Sequence, residues 1–440
     1  MLSPADFYMT RLIDVTIFLW LFWVGSSIGS FLNVVAWRMP RGESVNGRSY
    51  CPRCHTQLKA RDNFPVFGWL ALRGRCRTCR LPISPRYPIV EAVVGASLTM
   101  VGIGEVYRFA LPFQTVPWHS VPLSALTDAT VLLTLLYHIL AISLSWAFGL
   151  IRFDGHTLPA KLKVTAFLIL IGGMLIFPAV MVVPWPMRLE AIWQPSGRYL
   201  DASMRLITGL VSAAFFARCL TRGLCREADP KLDPLGKSTA RLMDLIAIIA
   251  VPSIVVGWQS IAGVLIVASV VAVLLRRVLP SSVDALGRFA IAIPITMSLH
   301  IVFWRWLQEA WFWPSTDSTP AVVLIASAIV LVSPMWLREP FRSQEEEQRR
   351  KRKDSLDGPT LTDGPTLDDG ATLDDGATLD DGATLDDGAT LDDGPTLDDG
   401  PTLGDGPTLG DGGEADERRL SSDLEAKNQN HNFGRNPPTS

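Results

Sequence analysis

Long apolar runs broken by short polar or basic connections dominate the first 340 residues, and they lack the stripe of an amphipathic soluble helix. Runs at about 12–37, 88–105, 124–151, 163–185, 205–221, 242–258, 260–275, 287–305 and 321–337 each approach the ~20 residues that cross a bilayer as helix. The pattern predicts an all-α polytopic membrane protein of about nine transmembrane helices. Beyond residue 340 the pattern changes. From Pro359 to Gly412 the unit [Pro/Ala]-Thr-Leu-x-Asp-Gly repeats nine times, with one apolar residue per unit. Such a segment buries too little to offset the entropy of ordering, and five prolines in nine units oppose stacked β-helix turns. A disordered charged tail over 341–440 is expected.

Charge orients the bundle. Basic residues gather at 38–86, at Arg152, Lys161 and Lys163, between Arg222 and Arg241, at Arg276 and Arg277, and between Arg349 and Lys353. With nine spans these clusters fall on one face, which the positive-inside rule makes cytoplasmic. The N-terminus is then outside. The opposite connections are rich in Trp, at Trp185–Trp193 and Trp304–Trp313, as an interfacial aromatic belt would be. The first run lacks a basic flank, since Asp6 and Asp14 oppose Arg11, and reads as an uncleaved anchor. This use of basic residues is topological, and no nucleic-acid partner is expected. The net charge of −3 averages a basic membrane part and an acidic tail.

Four of the six cysteines form two tight pairs, Cys51 with Cys54 and Cys76 with Cys79, inside the basic 38–87 loop. A two-residue gap lets both thiolates of a pair face one ion, and two such pairs complete a tetrahedral zinc set. Two disulfides would need an oxidising compartment, which the eleven Arg and Lys of residues 38–86 argue against. Cys51 to His55 also spells a c-type haem attachment pattern, but haem would leave the second pair without a role. A structural Zn2+ site is predicted. Cys219 and Cys225 read as ordinary half-buried residues.

The order Gly29-Ser-Phe-Leu-Asn-Val-Val-Ala-Trp-Arg38-Met-Pro40, the Cys51/Cys54 pair, Phe64-Pro65, Gly74-Arg-Cys76-Arg-Thr-Cys79 and Ile83-Ser-Pro-Arg86-Tyr87-Pro88-Ile-Val-Glu91 resembles the amino-terminal domain of the prepilin peptidases. The resemblance covers about residues 25–95. Physical reasoning reads the same pieces in its own terms. Gly25, Ser26, Ser27, Gly29 and Ser30 form a small-residue face for a neighbouring helix. Asn33 and Arg38 close the inner end of the first span. Glu91, inside an apolar span, needs a partner, and Arg86 is the expected one.

The resemblance implies a membrane aspartic endopeptidase that removes leader peptides from type IV pilin-like or type II secretion pseudopilin precursors. It also implies methylation of the new amine with S-adenosylmethionine. The catalytic acids of the family lie at the cytoplasmic ends of two spans, and the matching candidates here are Asp154 and Asp244. Their settings differ from the family pattern. Arg152 stands where the resemblance places the first acid, Ala160 replaces another, and Asp244 lacks the glycines and lysine that accompany the second. Gly257-Trp258 resembles a downstream glycine–tryptophan pair of the family. As alternatives to catalysis, Asp154 before Gly155 reads as a turn residue and Asp244 as an acid near a helix start. His138 and His300, in apolar spans, are expected to bond between helices.

Two readings follow. In one, the 88–340 bundle is an aspartic peptidase beside the zinc loop. In the other, the chain is an inactive relative that binds precursors or assembles with them. Repeats with broken helices at matching positions, as a transporter would carry, are not found. The expected setting is a bacterial inner membrane, with lipid and pilin-like precursors as partners.

Overall fold

The computed structural model describes residues 4–51, 53–107, 128–180, 198–225 and 237–337. The hexapeptide repeats, the Arg349–Lys353 cluster and the Trp185–Trp193 segment lie outside them. Each apolar run becomes a helix. α1 (Pro4–Arg38) leads into the cysteine loop, which holds the five-residue α2 (Phe67–Ala71) and returns through α3 (Arg86–Val106). α4 (Ala129–Phe153), α5 (Ala160–Ile176), α6 (Arg198–Leu224), α7 (Lys237–Val256), α8 (Ile261–Val278), α9 (Ala285–Glu309), α10 (Pro320–Val332) and the single turn α11 (Pro334–Leu337) follow. No strand occurs among the described residues; two isolated antiparallel bridges lie in the cysteine loop.

Among the described residues eight helices are long and apolar enough to cross a membrane, so the protein is multi-pass and all-α. The expected run at 163–185 is the exception. α5 stops at Ile176 after 17 residues because Phe177 precedes Pro178, whose ring disfavours helical geometry on the residue before it; Phe177 sits at φ −131°, ψ 78°. At 1.5 Å per residue α5 is about 25 Å long, against ~30 Å of hydrocarbon.

Small residues set the helix packing that frames the site. A Cβ on Gly25 would lie 3.0 Å from Gly95 O, and one on Gly29 would lie 2.9 Å from Glu91 Cα, so α1 and α3 touch backbone to backbone. This is the packing face expected of residues 25–30. Gly149 does the same between α4 and α9, where a Cβ would stand 2.8 Å from Ala290 O. The core uses the inner faces of α4, α7, α8 and α9, with Phe148, Leu245, Ile249, Leu265 and Phe289 fully buried. Outward residues such as Leu168, Val211, Leu274 and Leu324 stay exposed and apolar, as lipid-facing residues must.

Candidate functional site

The four paired cysteines converge, with all four sulfur atoms within 4.8 Å of one another. Each pair is carried on the same small turn. Cys51 N donates to Thr56 O and His55 N donates to Cys51 O; in the second turn Cys76 N donates to Leu81 O and Arg80 N to Cys76 O. Bridges Tyr50–Gln57 and Arg75–Pro82 close the two turns. The residue after each second cysteine, His55 or Arg80, takes a left-handed conformation at φ 52° or 60°. Across the turns Cys51 Sγ lies 3.9 Å from Cys79 Sγ, and Cys54 Sγ lies 3.9 Å from Cys76 Sγ. A tetrahedral four-sulfur site with bonds near 2.3 Å has edges of about 3.8 Å, whereas a disulfide needs about 2.05 Å. The donor set therefore fits one metal ion, and none of the six cysteines is bridged. Hydrogen bonding with Thr56 pulls the Cys54 thiol down to about 6, toward the thiolate that a metal requires.

Buried charge ties this module to the helices. The Arg38 guanidinium donates to Ser44 O (3.3 Å), Asn46 O (3.2 Å) and Arg48 O (3.4 Å), shaping the chain that enters the first turn. Asn33 Nδ2 donates to Tyr87 O at 3.4 Å across the α1–α3 contact. Arg77 Nε meets both Asp62 carboxylate oxygens at 2.9 and 3.1 Å, and its hydrogen bonds hold that carboxyl below the usual range. Glu91 differs from expectation. Its Oε2 accepts the backbone N–H of Val66 at 2.7 Å, while Arg86 reaches away to Asp154. Val66 sits at φ 62°, strained for a β-branched residue, and the Glu91 carboxylate holds it there. Position in sequence could not reveal this, because the two residues meet only after the loop folds back on α3.

The two candidate acids lie around one short loop. Asp154 caps the C-terminus of α4, followed by Gly155 at φ 75°, and its Oδ2 is 2.7 Å from Arg86 Nη2. Arg86 also lies over the Phe153 ring. Four residues after Asp154, Leu158 N donates to Asp244 Oδ2 at 3.0 Å, and Lys163 Nζ stands 3.1 Å from Asp244 Oδ1. Asp244 is fully buried near the start of α7. Arg152 is buried, donates to His156 O at 2.8 Å and pairs with Asp284 at 3.0 Å. Asp284 in turn caps α9 by accepting from Gly287 N at 2.7 Å. Three ion pairs thus cluster where α4, α7 and α9 meet the loop leaving the cysteine module. The partners Lys163 and Asp284 were not singled out in sequence; an acid immediately before an apolar run was the signal available for Asp284.

Comparison with known proteins accords with this geometry. Residues 23–104 match the family model described as the bacterial peptidase A24 N-terminal domain. This stretch is similar to a peptidase A24 N-terminal domain. The sequence is 46% identical over 98 residues to the prepilin leader peptidase/N-methyltransferase of Myxococcus xanthus, covering 22% of this chain and 28% of that protein. It is 44% identical over 95 residues to the protein of that name from Klebsiella pneumoniae, covering 19% and 42%. It is 41% identical over 98 residues to the type 4 prepilin-like proteins leader peptide-processing enzyme of Escherichia coli, covering 18% and 36%. The matched region is under half of each relative's length. No solved structure matches the chain.

The matched stretch takes in the end of α1, both cysteine turns and nearly all of α3. Within it Arg38 and Glu91 bond the backbone of the cysteine loop, Gly29 packs α1 on α3, and Arg86 reaches out to Asp154. Outside it, Gly257 has a structural reason of its own. It sits at φ 90°, and a Cβ there would lie 2.7 Å from the Arg205 guanidinium, which donates to Ile254 O (3.2 Å) and Val255 O (2.7 Å) at the end of α7. Of the intramembrane histidines, His138 bonds to Glu105 between α4 and α3 as expected. His300 does not: it stacks on Trp313, and neither ring nitrogen has a hydrogen-bond partner.

Proposed function

We propose that the chain is a membrane-embedded aspartic endopeptidase of the prepilin peptidase type, acting on pilin-like or pseudopilin precursors with Asp154 and Asp244 as its two acids. One observation carries this reading. Asp154 begins the loop 154–159, and Asp244 on α7 accepts from Leu158 N of the same loop, at the end of the bundle next to the cysteine module. Aspartic chemistry needs two acids together: one carboxylate takes a proton from water as its oxygen adds to the scissile carbonyl carbon, and the other acid gives a proton to the carbonyl oxygen. As that adduct collapses, the first acid passes its proton to the nitrogen and the second takes one back from a hydroxyl, so that the C–N bond breaks and the new amine leaves. Arg86 and Lys163 would orient the two acids. The cysteine module would hold a structural Zn2+ and set Arg86 in place through the chain from Cys79. The relatives' names include N-methyltransferase, and S-adenosylmethionine would be the methyl donor for the released amine.

Basic residues around the module and at Arg276 and Arg277 support a cytoplasmic placement of this end. The N-terminus of α1 would then be outside a bacterial inner membrane, with 341–440 on the cytoplasmic side. A second reading is favoured by the ion pairs themselves. Each acid already has a cation at 2.7 or 3.1 Å, and Arg152 occupies a place where the family has an acid. In that reading the chain binds precursors without cutting them. A co-expressed pilin-like precursor separates the two on a gel. The peptidase reading expects a mobility shift with the wild type that D154N or D244N reduces at least 100-fold, on the scale of a lost acid–base group. Co-purification of uncut precursor with inserted, metal-loaded protein would establish the binding reading.

A further inference from the structure

The segment between the two cysteine turns turns its bulkiest apolar side chains outward. Phe64, Phe67 and Leu70 are 44%, 57% and 54% exposed. Phe67 and Leu70 stand three residues apart on α2 and so share one face, and the Phe64 ring packs on Phe67 at 6.0 Å between centroids. The other face of α2 is the one that packs. Gly68 is buried where a Cβ would collide with Asp62 O. Trp69 Nε1 donates to Ile83 O at 3.0 Å, and its ring lies so close over Gly74 that a Cβ there would stand 2.7 Å from Trp69 Cζ2. A short helix that buries a glycine and exposes phenylalanine and leucine has an apolar face that the module itself does not cover.

Depth and charge identify what covers it. Val66, immediately before Phe67, donates its N–H to Glu91 Oε2 at 2.7 Å, and Glu91 is the sixth residue of the membrane-crossing α3. At 1.5 Å per residue Glu91 lies about 7.5 Å along the helix from Arg86. Ile89 and Val93, on the same part of α3, are exposed and apolar as lipid-facing residues are. The start of α2 is thus pinned at a level that lipid already reaches, within the ~5–10 Å at which amphipathic segments lie in the headgroup and acyl boundary. Around the patch, residues 59–80 carry six Lys or Arg, all exposed, against the single acid Asp62, which Arg77 occupies. Apolar rings rimmed by long cations suit an anionic interface, where the rings enter the acyl boundary and the cationic heads stay with the phosphates. An apolar protein segment would satisfy the rings and leave the cationic rim without a counterpart. We propose that the Phe64, Phe67 and Leu70 face inserts into the anionic lipid leaflet on the module's side of the membrane, so that the cysteine module is anchored in lipid beside the helices.

The test uses the full chain in vesicles of phosphatidylethanolamine and phosphatidylglycerol. Benzoylphenylalanine in place of Phe67 or Leu70 should crosslink to phospholipid on illumination, read as lipid mass added to the peptide that carries it. In place of Gln57, exposed on the first cysteine turn, it should not. In vesicles of phosphatidylcholine alone the yield at 67 should fall several-fold. Equal yields in the two vesicles would overturn the proposal. So would crosslinks at 67 and 70 that reach only a second copy of the chain or a co-expressed pilin-like precursor, or no crosslink to lipid at either position. A second measurement needs no substitution. Hydroxyl radicals generated on both sides of the vesicles should oxidise Tyr50, 42% exposed in the same module, several-fold faster than Phe64 and Phe67. Equal oxidation of the three rings would place the patch in water and overturn the proposal.

Discussion

Gly257 shows how one residue carries two constraints. Its φ of 90° is costly for any side chain, and the Arg205 guanidinium fills the space a methyl would take. G257A should therefore destabilise the protein by at least ~2 kcal/mol, read as a lowered melting temperature in detergent. A change confined to activity at unaltered melting temperature would contradict this. The glycine was visible in sequence as part of a resemblance, but Arg205, 52 positions earlier, was not, because only the α6–α7 contact brings them together. Glu91 was legible as an acid that needed a partner, and the partner proved to be a backbone N–H. E91A should free Val66 from its strained conformation and raise proteolysis within 64–72 several-fold, while the cysteine site keeps its metal. Unchanged cleavage there would mean that Phe64–Ala71 holds itself. Asp154 and Asp244 were both legible as candidates, but their cations were not, since Arg86 and Lys163 lie 68 and 81 positions away.

At the scale of elements, periodicity told most. Eight long apolar runs became membrane-length helices, and the ninth fell short at a residue–proline step already present in the sequence at Phe177-Pro178. Paired cysteines announced their own geometry because a two-residue gap leaves little choice of turn. The two turns repeat one hydrogen-bond pattern and bring four sulfurs together, so the wild type should bind about one zinc per chain. C51S or C76S should lose it and expose the 50–82 loop to protease. Full metal retention by either variant would rule out a four-sulfur site. Helix pairing was only partly legible. The small face of α1 was evident as a cluster, whereas Gly149 stood alone in an apolar run. Its role appears only where α4 crosses α9. G149L should disrupt that crossing and with it the Arg152–Asp284 pair, lowering the yield of folded protein well below that of G149A.

The whole bundle has two unlike ends. The cysteine module, the loop 154–159 and the start of α9 share one end, while the Trp-rich segment after α9 lies at the other. If the first end is cytoplasmic, an impermeant maleimide added to intact cells should label T319C and leave Q57C unlabelled until the membrane is opened. The reverse pattern would invert the topology. Sequence could not decide whether the acids meet, because the match to the family model ends at residue 104 and the distance between them depends on how α4 and α7 pack. The most direct measurement is reconstitution of the purified, zinc-loaded protein in liposomes with a pilin-like precursor, reading the precursor's mass. The account predicts loss of the leader at a single bond, dependent on both Asp154 and Asp244; an intact precursor bound to the protein would contradict it.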